Sequence, residues 1–220
     1  MTQPVFIGSN VYRGSSYGPR HPLSIPRVPT TIDLSRAMGW LPSAQYQTSP
    51  RARPKALKTF HTGRYIDALQ MAEDSQAVTE TIQHRHGLGT LSNPVFPEMF
   101  RRPATAAGGS LLGAEMIISG GAVYNPGGGT HHGLADRASG FCYLNDPVLA
   151  LKALFANGLS RVAYVDIDAH HSDGVEIAMA GTPGLLMIST HEEKRWPFTG
   201  GIDDTAKGAS INLPLPRGAH

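Results

Sequence analysis

The sequence predicts an α/β protein built on a mostly parallel sheet covered on both faces. Apolar runs of strand length recur in its second half, at Val162-Ala163-Tyr164-Val165, Leu185-Leu186-Met187-Ile188 and Ile211-Asn212-Leu213. Helical segments alternate with them, from Val148 to Phe155 and from Gly174 to Ala180. Strands alternating with helices build parallel sheets whose crossovers cover both faces. Hydrophobic residues make up 40% of the 220-residue chain and charged residues 16%. That is the balance of a compact soluble enzyme, not of a disordered or fibrous chain.

Taken in order, the first fifty residues read as loop-rich, because His21-Pro22, Ile25-Pro26 and Val28-Pro29 block long helices. Thr30 or Thr31 caps a helix from about Ile32 to Met38, and Gly39 ends it. A second helix runs from about Gly63 to Glu73, with Tyr65, Leu69 and Ala72 at helical spacing. Residues 84–98, with His86-Gly87-Leu88-Gly89 and Asn93-Pro94, read as a surface loop. Ala104 to Ile118 is rich in small and apolar residues and reads as a buried helix, tightly packed at Gly108 and Gly109. Ala122-Val123-Tyr124 follows as a short strand. There is no internal repeat and no domain boundary, so residues 1–220 are expected to form a single domain.

The formal charge of +2 hides an asymmetry: residues 1–110 carry 12 Lys/Arg against 6 Asp/Glu, and residues 111–220 carry 7 against 11. Acids gathered in the second half suit a cation. No basic run exceeds Arg101-Arg102, which argues against nucleic-acid binding. A single cysteine, Cys142, forms no intrachain disulfide and suits a reducing compartment. The start Met1-Thr2-Gln3-Pro4 has no signal-peptide pattern, and no apolar run approaches the ~20 residues of a membrane helix. The expectation is a cytoplasmic protein with no membrane contact.

Chemistry concentrates in residues 127–173. Val165-Asp166-Ile167-Asp168-Ala169-His170-His171-Ser172-Asp173-Gly174 follows an apolar strand directly, where a parallel sheet offers its ligand-binding edge. Asp168 and His170, two apart, point to one side in extended backbone. Carboxylate oxygen and imidazole nitrogen are both zinc ligands, and Asp166 stands where it can orient a neighbour. Upstream, Pro126-Gly127-Gly128-Gly129-Thr130-His131-His132-Gly133 puts a histidine pair after a glycine run. Beside a carboxylate-rich strand end, the pair suits a general base and its helper. In Ser139-Gly140-Phe141-Cys142-Tyr143-Leu144-Asn145-Asp146, Phe141 suits the wall of an apolar channel. Cys142 and Tyr143 read as core, since no base is at hand to activate the thiol.

These segments resemble the histone deacetylase family, and most nearly its bacterial acetoin-utilisation-type members. Further matches are Phe60-His61-Thr62-Gly63-Arg64-Tyr65, Gly87-Leu88-Gly89-Thr90, Asn93-Pro94-Val95-Phe96-Pro97 and Ser189-Thr190-His191-Glu192. The resemblance implies an arginase/deacetylase-like three-layer α/β/α sandwich, present as its N-terminal two-thirds and incomplete at the C-terminus. It implies a zinc-dependent deacetylase acting on acetyl-lysine, an acetylpolyamine or another acylated amine. By the same resemblance, Asp168 and His170 are zinc ligands, His132 is the base, and His131 is its helper. Asp166 and Asp173 hydrogen-bond His131 and His132 respectively, and Gly140 and Phe141 line the substrate channel. Backbone oxygens near Asp166, Asp168 and His170, with Ser189, match a structural potassium site.

The sequence departs from that pattern in two places. The family's third zinc-binding aspartate and its carbonyl-polarising tyrosine lie beyond His220, and no spacing gives the ligand role to Asp203, Asp204 or His220. Ser92 stands where family members carry an aspartate at the channel rim. The expected consequences are a feebly active chain and exposed sheet surface that drives self-association. Two other readings compete: a manganese ureohydrolase on the same fold, against which the tandem His131-His132 argues, and a non-catalytic remnant or binding module.

Overall fold

A computed structural model describes residues 3–19 and 21–219. In chain order the elements are β1 (Val5–Gly8), α1 (Val11–Gly14), α2 (Arg27–Ala37), β2 (Tyr46–Thr48), α3 (Pro54–Leu57), α4 (Gly63–Ser75), α5 (Glu80–His86), α6 (Arg101–Met116) and β3 (Val123–Tyr124). They continue with α7 (Asp146–Ala156), β4 (Val162–Asp166), α8 (Asp173–Met179), β5 (Leu185–Glu192) and β6 (Ser210–Leu215). Among the described residues these strands pair only in parallel. β1 lies between β2 and β3, and β5 lies between β4 and β6.

The expected helices are present, with boundaries moved by capping. α4 begins where the Thr62 hydroxyl accepts from the Tyr65 amide, and α7 where Asn145 accepts from the Val148 amide. α2 starts five residues earlier than the spacing predicts, since Pro29 is tolerated in a first turn, where the missing N–H costs nothing. Two readings are corrected. The first fifty residues are not merely loop: they supply β1 and β2, strands too short for a clear period. Residues 84–98 are a loop from Gly87 onward, but a partly buried one that begins with the end of a helix. Thr79 caps α5 and Gly87 ends it with left-handed backbone, while His86, Leu88, Asn93, Phe96 are buried.

The largest apolar cluster joins α4 and α6 through Tyr65, Leu69, Met99 and Ala107 to Leu88, Tyr143 and Leu144. The expected tight packing on α6 is real. A Cβ on Gly108 would lie 1.9 Å from the Pro50 carbonyl oxygen, so only glycine lets this helix meet the 50–52 segment. A second cluster packs Val148 and Leu151 of α7 and Val175 and Met179 of α8 on Leu185 and Met187 of β5.

Along its buried face β5 changes character: Leu185 and Met187 are apolar, Ser189 and His191 polar. The polar end is the carboxyl end, and there the Asp166–Ser189 pairing closes the β4 ladder. This edge is where an open parallel sheet binds ligands. The opposite face of the same sheet is apolar and open, with Val165, Leu186, Ile211, Leu213 and Leu215 each more than two-fifths exposed. Among the described residues β4 and β6 are also edge strands. An open apolar face between free edges favours pairing with another copy. Light scattering on this chain should therefore give a mass above the monomer's; a monomer at all concentrations would refute the expected self-association.

Candidate active site

Three segments meet at the carboxyl end of β4: the glycine run with His131-His132, the turn 166–173, and the loop after β5 that carries Trp196. The histidine pair is held by two carboxylates. His131 Nδ1 lies 2.6 Å from Asp166 Oδ2, and His132 Nδ1 lies 2.6 Å from Asp173 Oδ1. All four side chains are buried or nearly so. Carboxylates accept, so each imidazole donates from Nδ1, and Nε2 is left as the atom that exchanges a proton. The two rings stand 4.0 Å apart, centre to centre.

Asp166 is the better anchored carboxylate. Besides His131 it accepts from the Tyr164 hydroxyl at 2.5 Å and from the Asp168 amide at 2.9 Å. Burial works to raise its pKa, but these donors hold it well below the usual carboxylate range. The imidazoles diverge. Burial works against the charged form of both, yet around His131 the hydrogen bond and charge of Asp166, with Asp168 and Asp173 nearby, win and raise the pKa. Around His132 burial, helped by the charges of His131 and His170, outweighs Asp173 and lowers it. At neutral pH His131 therefore holds its proton more readily and His132 is free to accept one. Two adjacent groups pushed apart in pKa are the usual arrangement of an acid and a base.

Asp168 and His170 do converge, though not as paired positions on a strand. β4 ends at Asp166, and the two residues lie in a bend. The bend turns His170 Nδ1 to 2.8 Å from Asp168 Oδ1, with both side chains about half exposed. An oxygen and a nitrogen donor facing one point suit zinc, and the His132 ring lies 5.9 Å from that of His170. No group of three His, Cys, Asp or Glu residues placed to hold a metal occurs among the described residues. Asp203 and Asp204 thus do not complete the pair, and His220 lies outside the described residues.

Gly140 sits beside His132, and the Phe141 ring stands edge-on to His21. Gly140 and Phe141 both have left-handed backbone, and the Phe141 amide donates to Asn93 Oδ1. A Cβ on Gly140 would lie 2.7 Å from His132 Cδ2 and 2.4 Å from Trp196 Cη2. Trp196 itself stands edge-on to His132, centroids 4.6 Å apart. Ser189, across the ladder from Asp166, is buried with its hydroxyl 3.0 Å from His191 Nδ1. Cys142 is buried, which pushes its thiol up to about 12 and removes it from nucleophilic chemistry.

Sequence reasoning missed Trp196 and Tyr164. Trp196 lies in a loop with no periodicity, and Tyr164 reads as strand core until its hydroxyl is seen on Asp166. It also assigned no role to His61, which takes the Asn145 amide at Nε2 and meets the Leu134 carbonyl at Nδ1. That pattern requires the neutral tautomer protonated at Nδ1, and burial pulls the pKa of His61 down to about 4.

The arrangement has relatives. A histone deacetylase domain model matches residues 21–220. The acetoin utilization protein AcuC of Bacillus subtilis is 35% identical over 223 residues, covering 98% of this chain and 57% of its own length. The histone deacetylase RPD3 of Saccharomyces cerevisiae is 33% identical, covering 92% and 48%. The crystal structure of an HDAC homolog from Aquifex aeolicus superposes with a TM-score of 0.93 at 33% identity, covering 99% of this chain and 60% of that one. The chain thus spans about half the length of the curated relatives it matches.

The paired shifts make a testable statement. On lowering the pH, His131 should take up its proton before His132 in an imidazole NMR titration. Asp166→Asn removes the strongest contribution that raises His131 and leaves burial opposed only by the charges of Asp168 and Asp173, so the pKa of His131 should fall. The stability that its raised pKa contributes, present below ~6.5 and lost as pH rises through the folded value, should go with it. An unmoved His131 titration would show that Asp166 does not set it.

Proposed function

The chain belongs to the histone deacetylase family, and on that premise we propose that it serves zinc-dependent removal of acetyl groups from acetylated amines, of the acetyl-lysine or acetylpolyamine type. The observation that carries the reading is the pair of imidazoles, each held at Nδ1 by its own carboxylate and pushed apart in pKa, beside two converging zinc-type donors.

Asp168 and His170 would hold the zinc, supplying two of the three protein ligands that a catalytic zinc takes. When bound it supplies a Lewis acid that polarises oxygen and brings the pKa of a water toward ~7. His132 would take the proton of the attacking water at Nε2, while Asp173 keeps the ring in the tautomer able to do so. His131, with its charge favoured by Asp166, would support the base and protonate the leaving amine nitrogen. Water adds to that carbon, the carbon–nitrogen bond breaks, and acetate and free amine leave.

Gly140, having no side chain, lets the backbone lie directly against His132 and Trp196, and Gly140 and Phe141 would line the passage for the amine, Phe141 giving it an apolar wall suited to methylenes. The bend after β4 directs the Asp168 and His170 amides at carboxylates. Its carbonyl oxygens at Asp166, Asp168 and His170 would join the Ser189 hydroxyl around a structural potassium ion.

Metal analysis of the chain and its Asp168→Ala variant tests the ligand assignment: the variant should lose most of its zinc, and an unchanged stoichiometry would defeat it. In the form of the protein that hydrolyses acetylated peptides or polyamines, His132→Ala should keep its zinc yet lose at least ~100-fold in rate. A near wild-type rate would pass the base role to another group, His131 first.

A further inference from the structure

The two residues at the start of α7, Asn145 and Asp146, bond neither the imidazoles and carboxylates of the dyads nor the zinc-type donors, yet both are buried and both hold the backbone of the segment that carries His131 and His132. Asp146 holds the approach to it. One carboxylate oxygen accepts from the Gly129 amide at 3.1 Å and the Ser110 hydroxyl at 2.5 Å. The other accepts from the Thr130 amide at 2.8 Å and lies 2.5 Å from the Thr130 hydroxyl. Asn145 holds the far side, its amide donating to the carbonyls of His131 at 3.1 Å and Gly133 at 2.9 Å. The same side chain caps α7 through the Val148 amide, so the clamp is anchored to a helix buried against α6 and β5.

This is much polarity for a merely packed helix start. Asp146 is 2% exposed and makes no ion pair among the described residues, so its charge rests on hydrogen bonds alone. A buried carboxylate so placed is costly unless every donor is in register. The glycine run obeys it: a Cβ on Gly128 would lie 2.4 Å from Asp146 Oδ2. We propose that Asn145-Asp146 is a positioning pair. Asp146 fixes where the chain enters His131 and Asn145 where it leaves His132, so the pair sets both imidazoles against Asp166 and Asp173 without meeting substrate.

The proposal builds on the proposed function only for its kinetic consequence; its structural consequence is read without substrate. In Asp146→Asn an N–H group must replace one acceptor and oppose an N–H or O–H donor of the loop. Proton NMR of the whole chain should show two far-downfield Nδ1–H signals, from His131 and His132 on their carboxylates, and in the variant both should shift or broaden. Thr130→Val, which deletes the hydroxyl's contacts with Asp146 and the Leu144 carbonyl and keeps the backbone bonds, should shift them less. In whichever form hydrolyses an acetyl-lysine peptide, Asp146→Asn should lower kcat by about 10- to 100-fold, the scale of a small misplacement, with KM changed less than about threefold.

Unmoved signals and kcat in a folded Asp146→Asn would overturn the proposal, as would unmoved signals in Thr130→Val should Asp146→Asn not fold. Shifted signals in a protein that hydrolyses no acetylated amine would uphold the positioning and defeat the deacetylase reading instead.

Discussion

Two carboxylate–imidazole bonds, each 2.6 Å long, tie the glycine run to the carboxyl end of β4 and the start of α8. Charge-assisted bonds of this length are about twice as strong as neutral ones, and stronger still when buried. They join segments 35 and 41 residues apart. Without them the histidine pair would be a loop beside a sheet, with neither tautomer set. With them, the direction of each Nε2 and the seating of the loop follow together, while burial and the neighbouring charges push the two pKa values apart.

The sheet makes such a site possible by spending its hydrophobicity unevenly. Leu185 and Met187 pack under α7 and α8, and two residues later the same face presents Ser189 and His191. Much of the burial there is compensated by hydrogen bonds. Ser210 and Asn212 of β6 donate to Glu176 of α8, and His191 pairs with the Gly200 carbonyl, fastening the loop that brings Trp196 over His132. Polar groups satisfied this way specify one arrangement, where an apolar end would only collapse.

Histidine takes several parts in this fold. His61 is buried and neutral, bridging backbone with both nitrogens. His86 caps the 136–138 segment by its ring and its carbonyl. His131, His132 and His170 gather at the carboxyl end of β4, each with a carboxylate at its Nδ1. The contrast between His61 and His131 follows the neighbours: desolvation wins where the ring faces only a carbonyl and an amide, and a carboxylate overrides it beside His131.

By itself the sequence determined much of this. Strand and helix alternation, the parallel class, the three strands of the second half and the tight face of α6 are all local, set by period, propensity and glycine. The chemistry-bearing segments were legible too, because Asp168, His170, His131 and His132 are ligand and base types crowded into short runs. Only the tertiary structure decided which groups face each other. That Tyr164 serves Asp166, that Trp196 stands over His132, that Asp168 and His170 meet through a bend, and that Asn145-Asp146 grips both sides of the histidine pair depend on contacts between distant segments. The two short strands before residue 50 are of the same kind, since three or four residues carry too little pattern to declare a strand until β1 has neighbours to pair with. Local periodicity records which face of an element is buried; it holds no record of what is buried against it.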